Sequence, residues 1–236
     1  MNCNLEAYKN IVILTGAGIS VASGLPTYRG ENGLWNDESL AGLASVTAMR
    51  ERPNEVWEFS IAMRLKAQLA TPNAAHFALA AAERNATGSF TVITQNVDGL
   101  HQRAGSNNVI ELHGSIHRSR CSSCDVEPKS DQSAPQTPPD CPSCGAPLRA
   151  DVVLFEESMP ARPEHLSKRA LRECDLFIAI GTSGSVFPAA SFVRSARYAG
   201  ATTVLVNLEA EAQETQFDQI YRERAEEFLP TLFGVQ

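Results

Sequence analysis

Apolar residues fall in short runs separated by polar, turn-forming stretches. Six runs of four to five residues are mostly unbroken rather than alternating: Ile11–Thr15, Phe90–Thr94, Val109–Leu112, Val152–Phe155, Leu176–Ile180 and Thr203–Val206. Unbroken β-branched runs of this length predict strands buried on both faces. Helices are predicted between them. Pro72-Asn73 opens one over Ala74–Arg84, and Pro188–Tyr198 and Glu211–Phe228 supply two more. The acidic stretch Glu209–Glu227 reads as the solvated face of an amphipathic helix. Strands alternating with helices predict an α/β class, a doubly wound parallel sheet covered on both sides.

Two stretches break the alternation. Residues 37–70 have helical character and no strand run. Residues 117–149 hold four cysteines and six of the 13 prolines. Proline removes a backbone donor, so this piece is expected to be neither regular helix nor central strand. The two stretches predict a small module, partly helical and partly metal-binding, inserted into the sheet domain. Its expected bounds are 37–73 and 117–149, with 1–36, 74–116 and 150–236 forming the larger domain. The chain has no internal repeat and no linker long enough to separate independent domains.

Charge narrows the partners. Twenty Lys and Arg against 27 Asp and Glu leave the 236-residue chain at −7, which argues against a polybasic nucleic-acid or membrane-surface binder. No apolar run approaches the roughly 18 residues a membrane span needs. Met1–Glu6 lacks the layout of a signal peptide, so a cytoplasmic protein is expected.

Four of the six cysteines form two Cys-x-x-Cys pairs, Cys121/Cys124 and Cys141/Cys144, separated by sixteen residues. In a reducing compartment that spacing reads as a zinc ribbon rather than a disulfide scaffold. Four thiolates fill a tetrahedral zinc ion and leave no open position, so the metal is expected to hold structure. Cys174, just before a strand, reads as a buried packing residue, and Cys3 receives no role.

The strand Ile11–Thr15 runs into Gly16-Ala17-Gly18-Ile19-Ser20. Small residues there let backbone N–H groups approach a pyrophosphate. The usual dinucleotide fingerprint is incomplete, because Val21 takes the third glycine position and no acidic residue closes a second strand about twenty residues on. A hydride-transferring dehydrogenase is therefore disfavoured. Ser23–Gly30 follows as an irregular loop, with Tyr28 and Arg29 placed to cover a ligand and meet phosphate. Thr94-Gln95-Asn96-Val97-Asp98-Gly99-Leu100-His101 comes straight after a buried run, where ligands bind in open α/β sheets. His113 follows another strand and suits a general base near neutral pH. His76, His101, His117 and His165 read as structural side chains.

In order and spacing, GAGIS at 16–20, SGLPTYRG at 23–30, GLW at 33–35, TQNVDGLH at 94–101, ELHGS at 111–115, the two CxxC pairs, GTS at 181–183 and NLE at 207–209 resemble the sirtuin family of NAD-dependent protein-lysine deacylases. The resemblance covers nearly the whole chain. The Tyr28-Arg29 form and the short length are similar to the bacterial and organellar branch that includes desuccinylases. The resemblance implies a Rossmann-like domain binding NAD as a consumed co-substrate, one structural zinc, and acylated lysine side chains of proteins as partners. The implied chemistry begins with attack of the acyl oxygen on C1′ of the nicotinamide ribose, and nicotinamide leaves. His113 then activates a ribose hydroxyl, giving free lysine and O-acyl-ADP-ribose. Asn96 joins His113 in the implied catalytic set, and with Gln95 orients the ribose and a water. Asp98 is implied to hold the carboxamide. Further implied cofactor contacts are Gly16, Ala17, Gly18, Thr27, Tyr28, Arg29, Trp35, Gly181, Thr182, Ser183, Asn207, Leu208, Glu209 and Ala225. Ser60, Met63, Val153, Phe155 and Glu156 are the implied substrate contacts.

Three departures matter. Desuccinylases of this branch carry Tyr and Arg at i and i+3 on a helix, where this chain has Ser60 and Met63. Those positions share a helix face and offer no cation to a distal carboxylate, so neutral acyl groups are expected to be favoured over succinyl or malonyl. Arg64 would come near only with a one-residue slip, and it lies about 100° round the helix. Second, Phe155-Glu156-Glu157 replaces a usual Phe-Gly-Glu, putting charge beside the substrate peptide, which would either favour basic flanking residues or narrow peptide choice. Third, Glu223 replaces a common glycine near the adenine end. Two other functions stay open: an ADP-ribosyltransferase or NAD glycohydrolase on the same scaffold, and a non-catalytic module binding partners through its zinc ribbon.

Overall fold

The protein is described here by a computed structural model covering residues 5–28, 33–209, 212 and 214–234. Its strands in chain order are β1 (Asn10–Thr15), β2 (Ser89–Thr94), β3 (Val109–Glu111), β4 (Gly114–Cys121), β5 (Lys129–Ser130), β6 (Leu148–Val152), β7 (Leu176–Ile180), β8 (Thr202–Val206) and β9 (Gln219–Tyr221). Its α-helices are α1 (Glu38–Leu43), α2 (Val46–Glu51), α3 (Pro53–Leu69), α4 (Ala74–Asn85), α5 (Leu100–Ala104), α6 (Ala161–Arg172), α7 (Phe192–Tyr198) and α8 (Ala225–Phe233). Among the described residues, no helix is long and apolar enough to cross a membrane.

Six strands form a parallel sheet in the order β3-β2-β1-β7-β8-β9. The unbroken apolar runs are explained by what lies on each face. Ile11, Ile13, Val92, Ile178 and Val204 face α4 and α8, whereas Val12, Leu14, Ile93, Phe177 and Leu205 face α6 and α7. Full burial of each such side chain stabilises the fold by about 1.5–3 kcal/mol. The winding runs from β1 to one edge and restarts at β7, so a topological switch point separates β1 from β7. Loops leave the carboxyl ends of both strands in opposite directions there, opening a crevice.

Two glycine-bearing loops meet at that crevice. Gly18 donates its N–H to the carbonyl of Gly181 at 2.9 Å, and Gly16 donates to Ile180 at 3.0 Å. A Cβ on Gly16 would lie 2.6 Å from the Gly181 oxygen, and one on Gly18 would lie 2.7 Å from the Gly181 Cα. The glycine of closest approach therefore comes from the tip of β7 and not from position 21. The N–H groups of Gly16 and Gly18 are taken up inside the protein. These glycines serve loop packing against the tip of β7. Asn73 reinforces the first loop. It accepts from Ala75 N–H as the cap of α4, and its amide donates to Ile19 O and Ser23 Oγ.

A smaller sheet, in the order β5-β4-β6, is antiparallel. Ala67 and Met63 of α3 pack against Ile116, Ala150 and Val152 of this sheet. Three sequence expectations are corrected here. The run Val152–Phe155 is not a strand of the parallel sheet; pairing with β4 ends at Val152, and Phe155 instead bridges to Ser45. Residues 117–121 do belong to a central strand, because all six prolines of that stretch lie at 128 or beyond. The helix expected over Glu211–Phe228 is replaced, in its described part, by a 3-10 turn at Glu214–Gln216, the edge strand β9 and the start of α8. Val204–Val206 offers an open strand edge, and Gln219–Tyr221 pairs with it in parallel. That tertiary opportunity outweighs local helix preference.

Gly181 has a left-handed backbone (φ 59°), and a Cβ there would lie 2.6 Å from Ile19 N. Gly24 is also left-handed (φ 85°) but has open space around it. Gly181→Ala is therefore expected to cost about 3 kcal/mol or more, from strain and overpacking together, and Gly24→Ala about 1 kcal/mol from strain alone. Urea unfolding of both variants measures this; equal losses would show that the loop contact is not tight.

Candidate active site

The crevice holds a cavity of about 750 Å³ that reaches from the sheet tips to the small module. Gly16, Ala17 and Gly18 after β1 line it, as do Thr27, Tyr28 and Trp35 from the next loop. Gln95 lines it from the end of β2, Gly181, Thr182 and Ser183 from β7, Asn207, Leu208 and Glu209 from β8, and Ala225 from the start of α8. Asn96 and Asp98 line a recess of about 30 Å³ that shares Ala17, Pro26 and Tyr28 with the main cavity. Arg29 lies outside the described residues. A cavity of this size, lined by apolar side chains together with the polar groups of Thr27, Gln95, Thr182, Ser183 and Asn207, fits NAD in size and character.

Beneath the recess runs a buried polar chain. Asn96 Nδ2 donates to the Gly16 carbonyl at 3.0 Å and to Ser20 Oγ at 3.2 Å. Ser20 Oγ in turn donates to Asp98 Oδ2 at 2.8 Å, and Asp98 Oδ1 accepts the Leu100 N–H at 2.9 Å. Burial raises the Asp98 pKa above the ordinary carboxylate value, against the pull of the Leu100 and Ser20 bonds. Burial and the nearby Asp98 push the Tyr28 phenol up to about 12. Ser20 is the site residue missed by sequence reasoning. It sits in the glycine run, but only the fold reveals that its hydroxyl joins Asn96 to Asp98.

His113 lines the main cavity, and its Nδ1 lies 3.0 Å from the Gln95 carbonyl. A carbonyl only accepts, so Nδ1 carries the proton and Nε2 keeps a free lone pair. Burial lowers the pKa of the ring, and the Gln95 bond opposes this. His113 is thus a neutral base at pH 7. Gln95 is itself fixed by donating from Nε2 to Thr182 Oγ1 at 3.0 Å. The remaining histidines do not line the cavity or the recess. His76 and His101 are buried with ring centroids 4.9 Å apart, and burial takes them down to about 4 and about 3. His101 Nε2 contacts Thr15 Oγ1, and His117 Nε2 donates to the Asp98 carbonyl. His165 is exposed on α6.

The cavity wall facing the small module is apolar. Ser60 and Met63 line it together with Val56, Phe59 and Ile116, a group for which the sequence carried no signal. Ser60 donates its hydroxyl to Val56 O within the helix, so it presents little polarity. Arg64 points away. It is fully buried, bonds Ile116 O, Ser133 O and Ser119 Oγ, and pairs with Asp131 at 3.0 Å. It pins the 131–133 loop to α3. Val153, Phe155 and Glu156 also line the cavity. Val153 N–H donates to His113 O, Phe155 N–H to Ala44 O, and Val46 N–H to Phe155 O. The segment therefore bridges the large sheet and the small module. Glu156 is left-handed at φ 72°, a conformation costing a non-glycine residue about 1–2 kcal/mol.

The Sγ atoms of Cys121, Cys124, Cys141 and Cys144 all lie within 4.8 Å of one another. The Cys121–Cys144 and Cys124–Cys141 pairs are at 3.5 and 3.7 Å. Four thiolates bound about 2.3 Å from a zinc ion sit about 3.8 Å apart, so the donor set fits zinc. The N–H groups of Cys124 and Ser123 point at Cys121 Sγ and pull that thiol down to about 6. Cys174 is buried and donates to Leu176 O. Cys3 lies outside the described residues.

The Sir2 family profile matches residues 16–188. A Thermus thermophilus protein named NAD-dependent protein deacylase is 44% identical over 209 residues, which cover 87% of this chain and 82% of that protein. A solved Sir2 homologue–NAD complex superposes with a TM-score of 0.91 at 38% identity, over 98% of this chain and 90% of that one. A Sir2–p53 peptide–NAD+ structure gives 0.83 at 30% identity, over 96% and 93%. The chain belongs to the Sir2 family, the family its motifs resemble.

One zinc per chain is expected by elemental analysis. Cys141→Ser, or stripping with a strong chelator, is expected to cost about 3 kcal/mol, on the order of 10 °C in Tm. A metal-free preparation with the same Tm would refute a structural zinc.

Proposed function

We propose that this chain is an NAD-dependent protein-lysine deacylase that favours neutral acyl groups over succinyl or malonyl, with His113 as its general base. The observation that carries the reading is the His113–Gln95 bond: it commits Nδ1 as donor and leaves Nε2 as a neutral acceptor on a residue that lines the cavity. When bound, NAD would supply an electrophilic ribose carbon for the acyl group, with nicotinamide as the leaving group. His113 Nε2 removes the proton from a ribose hydroxyl as that oxygen turns to the acyl carbon. Asn96, held by Gly16 and Ser20, and Gln95, held by Thr182, orient the ribose and a water. Asp98 receives the carboxamide in the recess. Gly16, Ala17, Gly18, Thr27, Tyr28, Arg29, Trp35, Gly181, Thr182, Ser183, Asn207, Leu208, Glu209 and Ala225 hold the rest of the dinucleotide. The stacked rings of Tyr28 and Trp35, with Phe155 edge-on to Trp35, exclude water from the reacting centre.

Acyl-lysine side chains of proteins enter between the larger domain (1–36, 74–116, 150–236) and the small module (37–73, 117–149). The peptide backbone pairs with Val153–Glu156. Ser60 and Met63 line the acyl channel, and the burial of Arg64 is what supports the neutral preference. The proposed compartment is the cytoplasm, in keeping with four thiols arranged as metal ligands. Proteins rather than nucleic acids or membranes are the proposed partners, in keeping with the net charge of −7.

Three outcomes are expected. His113→Ala should lower kcat by about a thousandfold while leaving the thermal unfolding curve in place; mass spectrometry should find O-acyl-ADP-ribose with the native chain and none with the variant. Nicotinamide release without that product would instead indicate an NAD glycohydrolase or ADP-ribosyltransferase. Protonation of Nε2 removes the base, so activity falls on the acid side. Because burial lowers the pKa of His113, the acid limb of kcat/KM should lie below pH 6.5. A limb above that value contradicts the assignment. On matched peptides, acetyl-lysine should exceed succinyl-lysine by about tenfold or more in kcat/KM, and the reverse order would sink the acyl preference.

A further inference from the structure

We propose that Glu156 selects protein substrates carrying a basic residue next to the acyl-lysine, an inference that rests on the deacylase reading above. Among the described residues, Glu156 alone is a non-glycine in the left-handed backbone region. Glycine would adopt that conformation without strain, so the side chain is retained against a backbone cost. Packing does not account for it, because Glu156 is exposed and lines the cavity.

Its neighbour shows what a carboxylate with a structural task looks like. Glu157 pairs with Arg149 and accepts the Leu154 N–H, closing the turn 154–157. Glu156 has no cation beside it among the described residues; its recorded side-chain partner is the Thr47 hydroxyl on α2, at 2.9 Å. That bond ties the carboxylate to the start of α2, where it stays exposed. The segment cannot swing away, because Val153 and Phe155 are fixed to His113 and Ala44. The cations near α2 have other partners, with Arg50 against Glu51 and Arg52 against Glu55. Along the cavity rim Glu209, Glu223 and Glu226 outnumber Arg224, which itself pairs with Glu226 and Glu227. A peptide laid along Val153–Glu156 thus meets a tethered carboxylate with no paired cation among the described residues, where a Lys or Arg side chain supplies the missing charge.

The test is kcat/KM on acetyl-lysine peptides in which Arg, Ala or Glu is scanned through the two positions on either side of the acetyl-lysine. At one or two positions Arg should exceed Ala by about fivefold, the worth of a partly exposed ion pair, and Glu should fall below Ala. The preference should shrink with added salt. Glu156→Gln keeps the shape and removes the charge, so its Arg-to-Ala ratio should drop to near one. Glu156→Gly relieves the backbone strain and should give the same ratio, which guards against a misfolded Gln variant. Absence of an Arg preference in the native chain, or its persistence in both variants, would overturn the inference. Turnover of Ala-flanked peptides separates the two levels: failure there defeats the deacylase reading and this inference with it, whereas turnover without Arg preference defeats Glu156 selection alone.

Discussion

Because Gly16 and Gly18 carry no Cβ, the loop leaving β1 rests directly on Gly181 at the tip of β7. The rest of the site is hung from that contact. The Gly16 carbonyl holds the Asn96 amide, Asn96 holds Ser20, and Ser20 holds Asp98. Thr182, next to Gly181, holds Gln95, and the Gln95 carbonyl sets the tautomer of His113. Each of these bonds contributes only about 1 kcal/mol net to stability. Their value lies in orientation, since they fix the Asn96 and Gln95 amides and the His113 ring relative to one another.

A second line of support comes from the small module. β4 starts immediately after His113 and ends at the zinc-site residue Cys121; β6 starts near the second knuckle and ends immediately before Val153. Eight extended residues span roughly 25 Å, so a zinc ion at one end has no access to the chemistry at the other. It acts through the strand pair, which brings His113 and Val153 side by side at the same cavity. Gly114 permits the pinch beneath His113, where any Cβ would lie 2.1 Å from the Asp151 carbonyl.

The fold also retains features that ordinary folding would avoid. Asp98 is a buried carboxylate whose charged form is disfavoured by its surroundings. His76 Nε2 and His101 Nδ1 are buried without a hydrogen-bond partner. Glu156 is held in a conformation suited to glycine. Such costs persist where surrounding packing over-determines them. Arg64 shows the converse: a cation next to the proposed acyl channel is fully satisfied by the fold and is thereby withdrawn from the cavity.

What the chain determined by itself is whatever depends on neighbours close along it. Apolar runs reported which strands lie between two layers, because burial on both faces leaves no polar position to alternate. Cysteine spacing reported the zinc knuckles, because each tight turn is a local object. The ordered polar motifs marked the strand ends. Tertiary structure decided what depends on strand order and on competition for an edge. β9 forms only because β8 leaves its edge open, and β4 becomes central only because β5 and β6 flank it. Gly181, Ser20 and Gly16 become one assembly only when β1 and β7 lie side by side. The direction taken by Arg64 and the backbone of Glu156 are settled by partners distant in the chain, and no local pattern records those partners.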